Sequence, residues 1–193
     1  MNTATSYPIL SFRSAKEWEG WLDENHARSD GVWLRMFKKG SGKTSIKYEE
    51  ALEVALCYGW IDSQAKGHDE LSHVQKFTPR RARSVWSKKN TEHVERLTKA
   101  GRMRPAGLEA VESAKRDGRW ERAYDSPSAA TVPEDFLREL GRNERAAAFF
   151  ATLNKTNTYA IAYRLQNAKK LETRERRMRA IIDMLERGEK FYP

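Results

Sequence analysis

Cysteine is almost missing from this chain: Cys57 is the only one in 193 residues, so no intrachain disulfide can form. Long apolar runs are missing as well. With 33% charged and 39% apolar residues, no stretch approaches the ~20 uncharged residues that a helical bilayer crossing needs. Histidine is scarce, and His26, His68, His73 and His93 never stand four apart on one expected helix. With a single thiol beside them, neither a histidine pair nor a cysteine set for a metal is in prospect, and no metal or cofactor is expected. Glycine-rich phosphate loops fare no better. Gly42-Lys43-Thr44 ends like one, but Phe37 stands where the first glycine belongs and Ser45-Ile46-Lys47 reads as extended chain. The opening residues Met1 to Pro8 hold neither the basic segment nor the apolar run of a secretory leader, so a cytoplasmic setting is expected.

What the chain does hold is aromatic mass and positive charge. Aromatics make up 10%, including six tryptophans, enough large side chains to offset the ordering entropy of a core. The formal net charge is +9. Residues 1 to 79 carry 10 cations against 11 acids, whereas residues 80 to 193 carry 26 against 16, so the whole excess is C-terminal. Such a balance favours anionic partners, be they small molecules, acidic proteins or nucleic acid.

The periodicities predict an α+β protein: a small antiparallel sheet with flanking helices, followed by a helical subdomain. Ser14-Ala15-Lys16-Glu17 has the spacing of a capping box, and a helix over 15–27 follows with Trp18, Trp21 and Leu22 as its buried stripe. Gly31 to Phe37 reads as a strand. A helix from Tyr48 stops at Gly59, which suits the left-handed position after a helix end. Trp60 to Ser63 and His73 to Thr78 read as two short strands pairing around a turn from Gly67 to Ser72. Beyond Pro79 the pattern turns helical. Ser87 or Asn90 is placed to cap a helix with Val94 and Leu97 as its seam, and Pro105 opens another with Leu108, Val111 and Ala114. Helices opened by Pro133 and Asn143 come next, then two more carrying Ile161, Leu165 and Ala168, and Met178, Ile181, Ile182 and Leu185. The linker-like stretch from Tyr124 to Val132 divides the chain into an α+β region, 1–125, and a helical domain, 132–193.

Cations, hydroxyls and indoles converge at one strand-to-helix junction. Thr78, Arg80, Arg81, Ser84, Trp86, Ser87, Lys88 and Asn90, with Trp60 and Asp62 from the neighbouring strand, are the expected ligand-binding set, since free N–H groups and arginine forks suit an anion. Asp62 reads equally well as an N-cap-like residue or a salt-bridging partner of Arg80 or Arg81. Arg174 and Arg177, three apart on the last helix, share a face and are the expected contact for an acidic partner. No spacing singles out a catalytic pair.

These motifs also carry a resemblance. Gly59-Trp60-Ile61-Asp62-Ser63, Phe77-Thr78-Pro79-Arg80-Arg81 with Ser84-x-Trp86-Ser87-Lys88-x-Asn90, Gly101-Arg102-Met103, Ala114-Lys115-x-Asp117-Gly118-Arg119-Trp120, and Ala168-Lys169-Lys170-x-Glu172-Thr173-Arg174-x-Arg176-Arg177 resemble the successive signatures of the YdeI/OmpD-associated family. The part from Val132 to about Glu189 is similar to the family's helical bacteriocin-protection domain, and the earlier part to an α+β region of YjbR/CyaY-like type. Tyr163-Arg164-Leu165 departs from the Trp-Ile that related chains tend to carry there. The resemblance implies a cytosolic bacterial protein linked to tolerance of bacteriocins or cationic antimicrobial peptides, with no catalytic residues to carry over. A nucleic-acid-binding protein acting through the basic C-terminal half, and an enzyme acting on an anionic small molecule, are the competing readings.

Overall fold

The computed structural model describes residues 7–125 and 130–193. They fall into two compact units, one of residues up to 86 with 90–122, the other of 87–89 with 123–193. The elements run β1 (Ile9–Leu10), α1 (Ala15–Asn25), β2 (Val32–Phe37), α2 (Tyr48–Cys57), β3 (Trp60–Asp69), β4 (Ser72–Pro79), α3 (Lys88–Lys99), α4 (Pro105–Arg116), α5 (Glu134–Leu140), α6 (Glu144–Phe150), α7 (Lys155–Gln166) and α8 (Leu171–Glu186). The fold class is α+β.

In the first unit the sheet order is β1-β2-β4-β3. The β2-β4-β3 part is antiparallel as expected, but β1, unforeseen because it is only two residues long, adds to the edge in parallel. Helix α1 starts where Ser14 accepts a hydrogen bond from the Glu17 N–H, while the Glu17 carboxylate reaches back to the Arg13 N–H at 2.8 Å. It ends at Asn25, two residues short of the expected stop. Trp18 and Leu22 are buried outright, but Trp21 is only half-buried, stacked on Trp18 at 5.3 Å. Trp18 also meets Phe12, Trp60 and Phe77 within 5.4 to 6.3 Å, so α1 seats on the sheet through an aromatic cluster.

The β3-β4 hairpin is longer than the sequence suggested. Gly67 lies within β3, and the turn is Glu70-Leu71. From Ser63 onward β3 is exposed on both faces, as an edge strand with a register shift between Asp62 and Ala65, so it shows no apolar alternation to read. Gly59 takes the expected left-handed conformation, φ +72°, just after α2. Helix α4 then crosses α2 closely: a Cβ at Gly107 would lie 2.2 Å from the Cys57 carbonyl oxygen. That crossing turns Gly107, Val111 and Ala114 inward and leaves Leu108, expected on the buried stripe, 40% exposed. Val94 and Leu97 form the buried seam of α3 as expected, and Glu53 of α2 takes hydrogen bonds from Arg96 and Arg102 at 2.6 and 3.4 Å.

The second unit is helical, with Phe136, Leu140, Ile161, Leu165, Ile181 and Leu185 at its centre. Asn143 caps α6, as expected, and Asn154 caps α7. Buried Asn157 ties down the chain end, donating to the Tyr192 carbonyl and accepting from its N–H. Among the described residues no helix is long and apolar enough to cross a membrane.

Trp18→Ala should cost about 3–5 kcal/mol, the usual range for a buried aromatic, and Trp21→Ala less, because part of that side chain stays in water in the folded state. Urea denaturation of the two variants checks the order; equal losses would place Trp21 as deep as Trp18.

Candidate functional site

The face of the sheet turned away from α1 and α2 ends in a cleft of about 670 Å³ lined by Tyr7, Asp30, Ile61, Ser63, Gln64, Lys76, Thr78, Pro79, Arg80, Arg81 and Ser84. Strand alternation brings these side chains together. Ile61 and Ser63 on β3, and Lys76 and Thr78 on β4, project to the side opposite Trp60 and Phe77. The outer wall is the loop after Pro79. There the Arg81 N–H donates to Ser84 Oγ at 3.1 Å and the Ser84 N–H to the Arg81 carbonyl at 2.9 Å, closing a tight turn.

Two arginines hold that wall. The Arg80 guanidinium lies 3.6 Å from the centroid of Trp86 and donates to the Val85 carbonyl at 2.7 Å. Arg119, 6% exposed, donates to the Ser84 carbonyl at 3.0 Å, to Ser113 Oγ and to both carboxylate oxygens of Asp117. The turn is therefore stapled to the end of α4. Planar forks and hydroxyls converging on one cleft, with one acid among the lining side chains, suit a multivalent anion.

Of the ten ligand-binding residues expected from sequence, the cleft gathers Thr78, Arg80, Arg81 and Ser84. Trp60 is a correction: it is 1% exposed, packed edge-on against the stacked rings of Trp18 and Trp21, and its indole N–H is given to the His26 carbonyl at 3.2 Å. Asp62 projects to the same inner side, where it accepts from the Tyr48 hydroxyl at 2.9 Å and from Gln75 at 3.5 Å, so neither arginine expected as its partner is among these contacts. Trp86 underlies Arg80 and meets Trp120 at 5.0 Å, supporting the wall from beneath. Ser87 and Lys88 belong to the second unit, Ser87 bridging to Tyr124 and Lys88 pairing with Asp125 at 2.6 Å. Asn90 sits in the first turn of α3, and the helix begins ahead of it, so it is not the cap; it does not line the cleft. Sequence reasoning missed Lys76, Ile61 and Ser63. Alternation was the available signal, since Lys76 is two residues from Thr78, and Ile61 and Ser63 flank Asp62.

Arg174 and Arg177 are not an open contact face. Arg174 forms a forked ion pair with Asp135, at 2.7 and 2.8 Å from Nη2, and donates to the Leu165 carbonyl at 2.8 Å. Arg177 donates to the Arg164 carbonyl at 2.7 Å. Both guanidiniums tie α8 to its neighbours. His93 stands 3.6 Å from Glu53, and among the described residues no group of three or more side chains is arranged to hold a metal ion. Burial pushes the Cys57 thiol up to about 11, which leaves it a poor nucleophile.

An α+β unit carrying a cation-lined cleft, joined to a helical unit held by internal arginine pairs, is thus the kind of protein the structure defines. Residues 10–110, just over half of the chain, match the family model of a domain of unknown function (DUF8412), and the chain belongs to that family. Residues 129–188, in the C-terminal region, match the model described as Bacteriocin-protection, YdeI or OmpD-Associated. The resemblance drawn over the whole chain therefore divides in two, the N-terminal region having a family model of its own. No curated protein and no solved structure matches the chain.

The Asp135 carboxyl is held below the ordinary carboxylate range, chiefly by hydrogen bonds from Arg174. A lowered folded value means that the pair stabilises fully above about pH 5 and loses its effect as the pH falls through that value. Arg174→Ala should cost about 1–2 kcal/mol at pH 7, discounted because Asp135 is partly exposed. The gap from wild type should narrow in melts at pH 3; a gap equal at both values would show that the carboxylate pair is not its source.

Proposed function

We propose that the protein serves tolerance to bacteriocins or cationic antimicrobial peptides by binding a phosphate- or carboxylate-bearing ligand in the cleft of the first unit. The observation that carries this reading is the lining itself: Lys76, Arg80 and Arg81, with hydroxyls from Tyr7, Ser63, Thr78 and Ser84, against Asp30 alone. The tie to bacteriocin protection rests on the family of the C-terminal region. Charge argues for an indirect route. A chain at +9 repels a cationic peptide at long range, so sequestering the peptide itself is disfavoured, whereas an anionic ligand is drawn in.

Nucleic-acid binding by the basic C-terminal half draws less support. Arg174 and Arg142 are paired with Asp135 and Glu139, Arg187 with Glu189, and Arg164 lies 3.8 Å over the Phe191 ring, so these four cations are engaged within the chain.

Calorimetry of the full chain against inorganic phosphate and citrate tests the cleft. Wild type should bind at least one of them, and Arg81→Ala and Lys76→Ala should each weaken it about tenfold, the scale of one charge-assisted hydrogen bond. The same variants should fail to restore peptide tolerance in cells lacking the protein. Absence of heat with either anion, or affinities unmoved by both substitutions, rejects the cleft as the site.

A further inference from the structure

The near-neutral balance of residues 1 to 79 conceals two oppositely charged layers. Helices α1 and α2 carry Glu17, Glu19, Asp23, Glu24, Glu49, Glu50 and Glu53 against Lys16 alone. The opposite face of the sheet presents Arg35, Lys66 and Lys76; of the acids there, Asp69 is paired with Arg35 and Asp30 lines the cleft. That face also bears aromatic rings, each with a cation over it. Lys66 Nζ stands 4.3 Å from the Trp33 centroid, Lys76 Nζ 4.2 Å from Tyr7, and the Arg35 guanidinium 4.8 Å from Phe37.

Register sets the spacing of these groups. Trp33 is directly opposite Lys76, which also lines the cleft, and Arg35 is opposite Val74, itself opposite Lys66. Trp33 and Phe37, four residues apart on β2, are about 13 Å apart along the strand. Both rings are half-buried, their sites flanked by exposed lysines at positions 38, 39, 43 and 66.

We propose that this sheet face binds single-stranded nucleic acid, with bases stacked on Trp33 and Phe37 and phosphates on Lys66 and Lys76. Flat rings interleaved with cations on an open sheet are the elements that single strands use, because every base has a π-face and every linkage a charge. A cation over a ring at the surface is held weakly, and a stacking base displaces it toward the neighbouring phosphate. A duplex keeps its bases inside the stack and has no use for the rings. An acidic peptide engages the cations but gains nothing from Trp33. The inference shares Lys76 with the cleft and otherwise stands apart from it.

Fluorescence anisotropy of the full chain with a labelled 12-nucleotide oligouridine tests it at ~0.15 M salt, with a duplex of the same length and polyglutamate as competitors. Trp33→Ala should weaken the single strand about tenfold, the effect of losing one stacked base. Lys66→Ala, at an exposed position that cannot unfold the chain, should lower the slope of log affinity against log salt by about 0.7. Phosphate calorimetry on Trp33→Ala should match wild type. No binding, competition by polyglutamate or duplex as effective as by the single strand, or indifference to both substitutions would overturn the proposal. Phosphate binding that persists in that event leaves the cleft reading intact, whereas oligonucleotide binding without phosphate binding rejects the cleft alone.

Discussion

Two buried indoles, Trp18 on α1 and Trp60 at the head of β3, cross edge to face 6.3 Å apart, and each gives its N–H to a backbone carbonyl, of Ala51 and His26 respectively. An indole buried without a partner for its N–H costs a desolvation penalty, so these two bonds fix not only that the helices cover the sheet but which side they cover. With Trp60 inward, the pleat sends Ile61 outward, and with Phe77 inward it sends Lys76 and Thr78 outward. The cleft and the cationic face are consequences of that choice. A one-residue slip of β4 would bury Lys76 and expose Phe77, which is why the register is strongly determined here.

The same constraint explains what the sequence made legible and what it hid. Helix boundaries were readable because their causes are local: Ser14 with Glu17, Pro105, Asn143 and the glycine after α2 each satisfy or release a backbone group within a few residues. The junction rich in arginine and hydroxyls was also readable, and Thr78, Arg80, Arg81 and Ser84 do line one cleft. Face was not readable at Trp60 and Asp62. A tryptophan beside an acid reads like a binding pair, but the parity of β3 is set by rings on α1, some forty residues away. Lys76 stands in a strand of mixed character, Ser-His-Val-Gln-Lys-Phe-Thr-Pro, and its face too is fixed by the burial of Phe77 beside it.

Charge is hidden from the sequence in a different way. Formal charge counts side chains, whereas a partner meets only those left unneutralised. Arg174 and Arg177 stand three apart as the helical spacing demands, but Asp135 and two backbone carbonyls claim them. Neither claim has a signal in the sequence, since Asp135 lies on a different helix and carbonyls are everywhere. Arg119 shows the converse. Its basic charge looked unremarkable beside the run at Arg80, but in the fold it is the buried arginine that holds the cleft wall.

Distance decides how such charges add. At physiological salt the field of an exposed charge decays over about 8 Å, so a ligand at the cleft responds to Lys76, Arg80 and Arg81 rather than to the sum over a whole half of the chain. The carboxylates of α1 and α2 lie behind a sheet whose inner face is packed with apolar side chains, and their contribution at the outer face is screened by solvent on the way round. A region with net charge −1 can therefore present a cationic surface, and the cations that a cleft ligand meets come from both parts of the chain, Lys76 from one and Arg80 and Arg81 from the other. What draws an anion to this protein is the side of the sheet on which its cations stand, whichever part of the chain supplies them.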